Sequence, residues 1–200
     1  MANTNTVAPF GLTPINENGT PWSGQGRMVY FPSTDGNNIF LGDPIVPSGA
    51  TDAFGVPGVT IATAGTGTIL GAFIGRCNGP AGSGSTLLQS DHVYRQASTA
   101  CYGFVCDDPN QLYTVQEDSV GGAIAIANAG FSNGELVAGA GSTVTGYSGW
   151  MLQSSTVASG NVTYQIRVLE LTRGPDNAIG NYARWTVRLN LPALWALSGY

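Results

Sequence analysis

The feature that most restricts how this 200-residue chain can fold is a pair of extended stretches joined by a turn within residues 99–118. Residues 100–106 alternate with the two-residue period of a β-strand, and residues 111–116 repeat that alternation. Between them Asp107–Asn110 breaks the pattern, because Pro109 presets a turn and the Asp and Asn side chains bond locally to backbone amides. The two stretches therefore predict an antiparallel hairpin at the middle of a β domain.

Other segments show strand-like patterns and are separated by turn signals rich in Gly, Pro, Asn and Asp. In chain order they are residues 28–32, 39–46, 59–64, 69–74, 136–138, 149–152, 162–171 and 182–191. The two segments that flank Gly65–Gly67 predict a second hairpin. A short helix is predicted only at residues 120–127, where Asp118 or Ser119 is the N-cap. About ten short strands predict an all-β, mainly antiparallel fold, a β-barrel or a β-sandwich.

The chain is predicted to comprise an extended N-terminal arm at residues 1–26, a β-rich domain at 27–191 and an apolar C-terminal tail at 192–200. Pro and Gly interrupt the arm, so it would not fold alone. The arm nevertheless carries four large apolar side chains, which are Phe10, Leu12, Ile15 and Trp22. We expect it to dock on a surface of the protein itself or of a partner, and we expect the apolar tail to need similar cover.

The chain carries little charge. Charged residues make up 10% of it, against about 25% in an average soluble domain, and all seven basic residues are arginine. Monomeric proteins usually have Lys and Glu on their hydrated surfaces, and sheet proteins often have Lys on exposed edge strands. The composition therefore favours a protein whose surface is covered by neighbours in an assembly, although hydroxyl-rich surfaces also occur in secreted binding modules.

The net charge of −5 argues against a nucleic-acid-binding domain, which needs a basic stripe to release counterions from phosphates. Arg167, Arg184 and Arg188 lie in the last third of the chain, and the latter two point the same way if they share one strand. If all three stand on one sheet face, they could meet an acidic partner. The alternative is that they are ordinary polar residues on the exposed face of a half-buried sheet.

No membrane or secretion signal is predicted. The first residues lack a basic region followed by an apolar run, and no stretch approaches about 18 uninterrupted apolar residues. We therefore expect synthesis in a cytoplasm, no membrane partner, and any export by a route other than secretion.

The sequence contains few residues that could form a catalytic site. His92 is the single histidine, and a nucleophilic triad needs a base held by a partner residue. The cysteines Cys77, Cys101 and Cys106 lack CxxC spacing, and the last two face opposite ways on one strand, so buried free thiols are expected. A metal site of His and Cys takes three or four ligands, so one His and three scattered Cys predict no metal site, and no cofactor is predicted. The absence of lysine also excludes Schiff-base chemistry within the chain.

Four carboxylates cluster in sequence, Asp107, Asp108, Glu117 and Asp118, and a pair of acids is what glycoside cleavage requires. The predicted hairpin places the first two at its turn and the other two at its opposite end. We therefore interpret them as turn-forming acids, and we predict no catalytic residues and no enzyme activity.

Three stretches carry a resemblance to a known group of proteins: residues 13–45, residues 95–124 with the phrases DDP and VQEDSVGGA, and residues 175–190 with PDNAIG. Together these stretches resemble the small virion structural proteins of tailed double-stranded DNA phages, some of which are capsid cement or decoration proteins. The resemblance covers the chain from about Phe10 to Asn190, includes no catalytic motif, and does not extend to the tail LPALWALSGY.

The resemblance implies a β-rich protein on the outer surface of the capsid, made in the bacterial host cytoplasm, that reinforces joints between major capsid protein subunits. It implies two partners, the major capsid protein and further copies of the chain as a dimer or trimer, with no direct contact to nucleic acid. The arm and the tail supply the candidate partner contacts, which are Phe10, Leu12, Ile15, Trp22, Leu194, Trp195 and Tyr200.

Two alternatives remain open at this stage. A tail-fibre or receptor-binding module would use exposed aromatic side chains to stack on sugars, and Tyr147, Trp150 and Tyr164 are the candidates. A polysaccharide depolymerase would need two carboxylates about 5 to 9.5 Å apart in a cleft.

Overall fold

The computed structural model describes residues 5–17, 22–65, 67–77, 79–80, 93–157 and 161–195. Within these ranges the chain is almost entirely β, and its only helical segments are single 3-10 turns at Ile126–Asn128, Ser154–Thr156 and Ala193–Trp195. The all-β, mainly antiparallel fold predicted from the sequence is confirmed. The described part contains no helix that is long and apolar enough to cross a membrane.

Twelve strands are present in the described residues. In chain order they are β1 (Thr13–Ile15), β2 (Arg27–Phe31), β3 (Pro44–Thr51), β4 (Pro57–Ile61), β5 (Gly71–Cys77), β6 (Cys101–Cys106), β7 (Leu112–Gln116), β8 (Asn133–Gly134), β9 (Leu136–Val137), β10 (Met151–Leu152), β11 (Ile166–Leu171) and β12 (Arg184–Leu189).

Five strands close into a barrel in the order β2-β4-β3-β5-β6. All of its pairs are antiparallel except the β2–β4 pair, which is parallel and closes the barrel. The strands alternate, so every second side chain points inward, and Val29, Phe31, Phe73 and Val105 pack together in the barrel core. The rings of Phe31 and Phe73 meet edge to face with their centroids 5.5 Å apart.

The other large sheet has five antiparallel strands in the order β1-β7-β12-β11-β8. The alternation predicted for β12 is confirmed, because Trp185, Val187 and Leu189 are buried while Arg184 and Arg188 lie on the opposite face. The buried face packs on the outside of the barrel, and the short pair β9–β10 adds side chains to this second core.

The hairpin predicted at residues 99–118 is wrong, although its turn exists. Strand β6 pairs with β2 and β5 inside the barrel, whereas β7 pairs with β1 and β12 in the sheet. The turn carries the chain from one layer to the other, and the Tyr113 hydroxyl donates to the Cys106 carbonyl oxygen across it (2.8 Å). Alternation predicts a strand but does not identify its partner, since both edges of each strand are equally able to pair.

Two further predictions need correction. The segments that flank Gly65–Gly67 do not pair with each other, because β4 joins β2 and β3 while β5 joins β3 and β6. The helix predicted at 120–127 is a series of turns before a single 3-10 turn. Gly121 and Gly122 both have positive φ there, which an α-helix does not allow.

Arg95 joins three loops at one end of the barrel. Its side chain is fully buried and donates to the carbonyl oxygens of Pro32 (2.7 Å), Asn37 and Thr99 (3.0 Å). Asp35 lies 3.7 Å from the guanidinium and supplies the opposite charge. Because four groups satisfy the buried cation, it stabilises the loops without remaining an unpaired charge.

Replacing Arg95 with Ala is expected to lower the free energy of unfolding by about 3 kcal/mol or more, because three loop carbonyls lose their buried donor and the change leaves a cavity. Urea unfolding measures this loss. The matched control is Arg173→Ala, since the Arg173 side chain is 90% exposed and pairs with Glu170 at the surface, and the loss in this variant is expected to stay within about 0.5 kcal/mol. Equal losses in the two variants would contradict the role assigned to Arg95.

Candidate functional site

The N-terminal segment packs against the protein's own body. Leu12 is fully buried in the second core, and its backbone amide donates to the Gly42 carbonyl oxygen (2.8 Å). The next three residues form β1, which pairs with β7 in the register Thr13↔Thr114. Gln111 fastens the end of β1 by donating from its side-chain amide to the Ile15 carbonyl oxygen.

Two glycines allow the backbone of this segment to cross the body. Gly11 and Gly42 have φ of 69° and 90°, values that favour glycine. A Cβ atom on Gly42 would overlap the Phe10 carbonyl oxygen, and one on Gly11 would overlap Gly42 itself. The close approach explains why the segment between Phe10 and Leu12 lies flat on the body.

An open groove runs along this segment, and we call it the N-terminal groove. It consists of two adjoining cavities of about 650 Å³ and 500 Å³, and Phe10, Thr13 and Tyr147 line both. Apolar side chains from several elements complete the wall, including Ile15, Trp22, Leu41 and Ile74. No charged side chain of the described residues lines either cavity. The groove is therefore suited to apolar groups of a partner.

Exposed apolar side chains extend the groove on one side. Tyr147 is 51% exposed, and Val144 in the preceding turn is 87% exposed. The backbone of Gly146 packs against Val93, which is 49% exposed. The 93 and 144–147 segments thus present an uncharged apolar rim next to the cavities.

The candidate partner contacts have different environments. Phe10, Ile15 and Trp22 are half-buried and line the N-terminal groove, so the structure brings them together. Leu12 also borders the groove, but its side chain is fully buried in the second core and offers no surface to a partner in this conformation. Leu194 is 48% exposed in the last 3-10 turn and does not line the groove. The Trp195 side chain and Tyr200 lie outside the described residues.

The three aromatic residues suggested for sugar stacking do not act together. Trp150 is 3% exposed and belongs to the second core, whereas Tyr147 lines the groove. Tyr164 is half-buried beside β11, where its carbonyl oxygen accepts a hydrogen bond from Asn190 (2.9 Å). The sequence missed Phe10 and Trp22 as companions of Tyr147, because residues far apart in the chain build the groove.

Trp22 also lines a smaller polar cavity of about 340 Å³. Arg27, Asp107, Asp108 and Gln111 line it, and Arg27 forms an ion pair with Asp107. These opposite charges leave the cavity only weakly negative, which fits a neutral hydroxyl-bearing ligand better than an ion.

The four clustered carboxylates are divided between the two ends of β7. Asp107 and Asp108 lie in the turn before β7, whereas Glu117 follows its other end and is fully buried. Glu117 accepts hydrogen bonds from the Trp185 indole (3.0 Å) and the Ile124 amide (3.1 Å). Burial raises the pKa of Glu117, and these donors oppose the rise. The arrangement holds the 117–124 segment on the sheet.

Asp43 is a second buried carboxylate, and it lies next to the Gly11–Gly42 crossing. One oxygen accepts from the Phe40 amide (2.8 Å), while the other has no hydrogen-bond partner among the described residues. Burial raises the pKa of Asp43 to about 6, and the nearby Phe40 amide and Ser148 hydroxyl oppose the rise. The folded protein therefore binds the proton of Asp43 more tightly than the unfolded chain does.

The three cysteines are free thiols; Cys101 and Cys106 are buried as expected, whereas Cys77 is only half-buried. Cys101 packs in the barrel core and Cys106 in the second core, which confirms that they face opposite ways on β6. Burial raises the pKa of Cys77 and of Cys106 to about 11. Within the described ranges no group of three His, Cys, Asp or Glu side chains is arranged to hold a metal, and His92 lies outside these ranges.

Comparisons with known proteins leave the family open. No protein-family model, no curated protein and no solved structure matches the chain.

Replacing Gly42 with Ala is expected to lower the free energy of unfolding by about 3 kcal/mol or more, because the added Cβ overlaps backbone and requires a left-handed conformation. The matched control is Gly49→Ala, where φ is 75° and nothing lies within 4 Å of the added atom. Gly49→Ala is expected to lower the free energy of unfolding by about 1 kcal/mol, the cost of holding Ala in a left-handed conformation. Urea unfolding of both variants separates the two effects, and equal losses would show that the crossing is not tightly packed.

Asp43 is expected to make stability fall as pH rises from about 4 to about 6. The folded state keeps the proton in this interval while the unfolded chain, with a pKa near 3.8, releases it. The decline amounts to about 2 to 3 kcal/mol and ends above the folded pKa. Urea unfolding across this range checks the value, and Asp43→Asn is the comparison because it cannot ionise. Parallel pH profiles for the two proteins would contradict the assignment.

Proposed function

We propose that this chain is a structural protein of a tailed-phage virion, a capsid cement or decoration protein that binds the assembled head. The resemblance of residues 13–45, 95–124 and 175–190 to such proteins supports the proposal. The all-β body is consistent with it. In this role the protein reinforces contacts between major capsid protein subunits on the outer surface of the shell.

The observation that carries the proposal is the N-terminal groove with its rim. The groove is an open surface that combines Phe10, Trp22 and Tyr147 and has no charged side chain. Covering it with a protein therefore costs little desolvation free energy. The exposed side chains of Val93 and Val144 enlarge the same surface. Contact with a neighbouring subunit is therefore more favourable for this surface than exposure to water.

A cement protein acts by mass action. Binding to the assembled shell and not to free subunits stabilises the shell by an amount that grows with occupancy. Association of the chain with itself, as a dimer or trimer, lets several modest contacts act together through their effective concentration. No covalent step is needed for this function.

Carbohydrate recognition, as in a tail-fibre or receptor-binding module, is the second candidate. The polar cavity favours it, because Trp22 borders a space that also holds the Arg27–Asp107 pair and Gln111. An aromatic ring beside a few fixed polar groups is a common arrangement for binding sugars.

The test of the cement function is co-sedimentation with expanded phage heads. The double variant Val144→Asp, Tyr147→Asp is expected to bind at least about 10-fold more weakly, because two carboxylates would have to be buried in an apolar contact. Substitution is preferable to deleting residues 1–22, since that deletion removes the buried Leu12 and all of β1.

The matched control is Val162→Asp, a 68% exposed valine that lines neither cavity of the groove, and its binding is expected to be unchanged. Equal binding by all three proteins would exclude the groove from the contact. If the wild-type protein ignores heads but binds neutral oligosaccharides, carbohydrate recognition replaces the cement function.

A further inference from the structure

The arginines differ in how their charge is compensated. Within the described part of the chain, four arginines lie within 4 Å of a carboxylate, in the pairs Arg27–Asp107, Arg95–Asp35, Arg173–Glu170 and Arg184–Asp176. Arg167 and Arg188 have no such partner among the described residues. Arg167 donates from Nε to the Asn133 side-chain oxygen (3.1 Å), and the Arg188 side chain makes no hydrogen bond within the described part of the chain.

These two arginines stand directly opposite each other in the sheet. Strands β11 and β12 pair in the register Arg167↔Arg188, so the two side chains leave the same face with their Cβ atoms about 5 Å apart. Both are half-buried, whereas their neighbours Ile166 and Val187 point into the second core. Like charges directly opposite each other destabilise a sheet, so this pair lowers stability in the isolated protein.

The surrounding face does not neutralise the pair. The row across the four strands β7, β12, β11 and β8 reads Leu112, Arg188, Arg167 and Asn133, and it holds no carboxylate. Glu170, the acid further along β11, is opposite Thr186 and pairs with Arg173 (3.5 Å). Two positive charges therefore remain side by side in a protein whose net charge is −5.

We propose that Arg167 and Arg188 together bind a carboxylate of an acidic polypeptide segment. A guanidinium presents its donors in a planar fork that matches a carboxylate, and Asn133 already orients the fork of Arg167. Such a partner removes the repulsion between the arginines and gains charge-assisted hydrogen bonds. Nucleic-acid binding requires a basic stripe that contacts several phosphates, and two arginines in a protein of net charge −5 do not form one, so the site favours a protein carboxylate over nucleic acid.

The acidic segment belongs to a neighbouring shell subunit if the proposed function holds, and this identification rests on that function. The anion site itself does not, because its evidence is the register and the missing counter-charge. The site also lies on the sheet face opposite the second core, where it can act in addition to the N-terminal groove.

The binding test uses a fluorescein-labelled hexaglutamate peptide and measures fluorescence anisotropy at low salt. Arg188→Gln is expected to weaken binding at least 10-fold, and the double variant with Arg167→Gln to abolish it. Arg173→Gln is the matched control, since it removes one exposed positive charge elsewhere on the protein, and it is expected to change binding less than 2-fold. Equal weakening by Arg173→Gln, or no effect of Arg188→Gln, would overturn the site.

A second measurement separates binding from a structural role. Without a partner, Arg188→Gln is expected to raise the urea midpoint at low salt, and the gain is expected to shrink in 0.5 M NaCl because salt screens the repulsion. A lower midpoint would show that Arg188 stabilises the sheet and would overturn the proposal. A labelled dT12 oligonucleotide that binds more tightly than the peptide would overturn the choice of partner. Peptide binding without head binding would leave the site in place and remove the cement function.

Discussion

The structure depends on the burial of one face of the five-stranded sheet against the outer wall of the barrel. Trp185 and Val187 of β12 supply the sheet side of this core, and Ala72 and Cys106 supply the barrel side. Strands β5 and β6 must therefore be apolar on both faces, since Phe73 and Val105 on the same strands fill the barrel. The shared wall explains how a weakly charged chain has two cores and still exposes apolar surface at its rim.

The same junction positions the features that bear on function. The N-terminal segment closes one side of the junction, because Leu12 enters the second core and the Gly11–Gly42 crossing holds the preceding residues flat. The groove exists because this segment lies on the surface without filling the space beside Tyr147. On the far face of the sheet, the register of β11 and β12 leaves two arginines adjacent without a counter-charge. The apolar groove and the arginine pair are thus built from different residues of one assembly of strands.

The local sequence pattern predicts much of the fold, but it predicts only some of the residues that form the candidate sites. Alternation located β2, β6, β7 and β12 closely, because half-buried strands impose a two-residue period. Alternation misses the start of β3. The N-cap and apolar run at 118–127 predict a helix, but glycines with positive φ form turns there. The apolar character of Phe10, Ile15 and Trp22 is visible in the sequence of the arm. Nothing in the local sequence indicates that Tyr147 lines the same cavity.

The sequence by itself determined the class of the protein, an all-β chain. It also determined that the chain has few charges, arginine and no lysine, and apolar side chains near its start. Those properties come from composition and short-range period, which do not depend on which strands meet. Only the tertiary structure decided that β6 and β7 separate into a barrel and a sheet, and that Arg167 faces Arg188. The physical reason is that partner choice depends on burying both faces of the shared wall, a long-range condition that no local segment encodes.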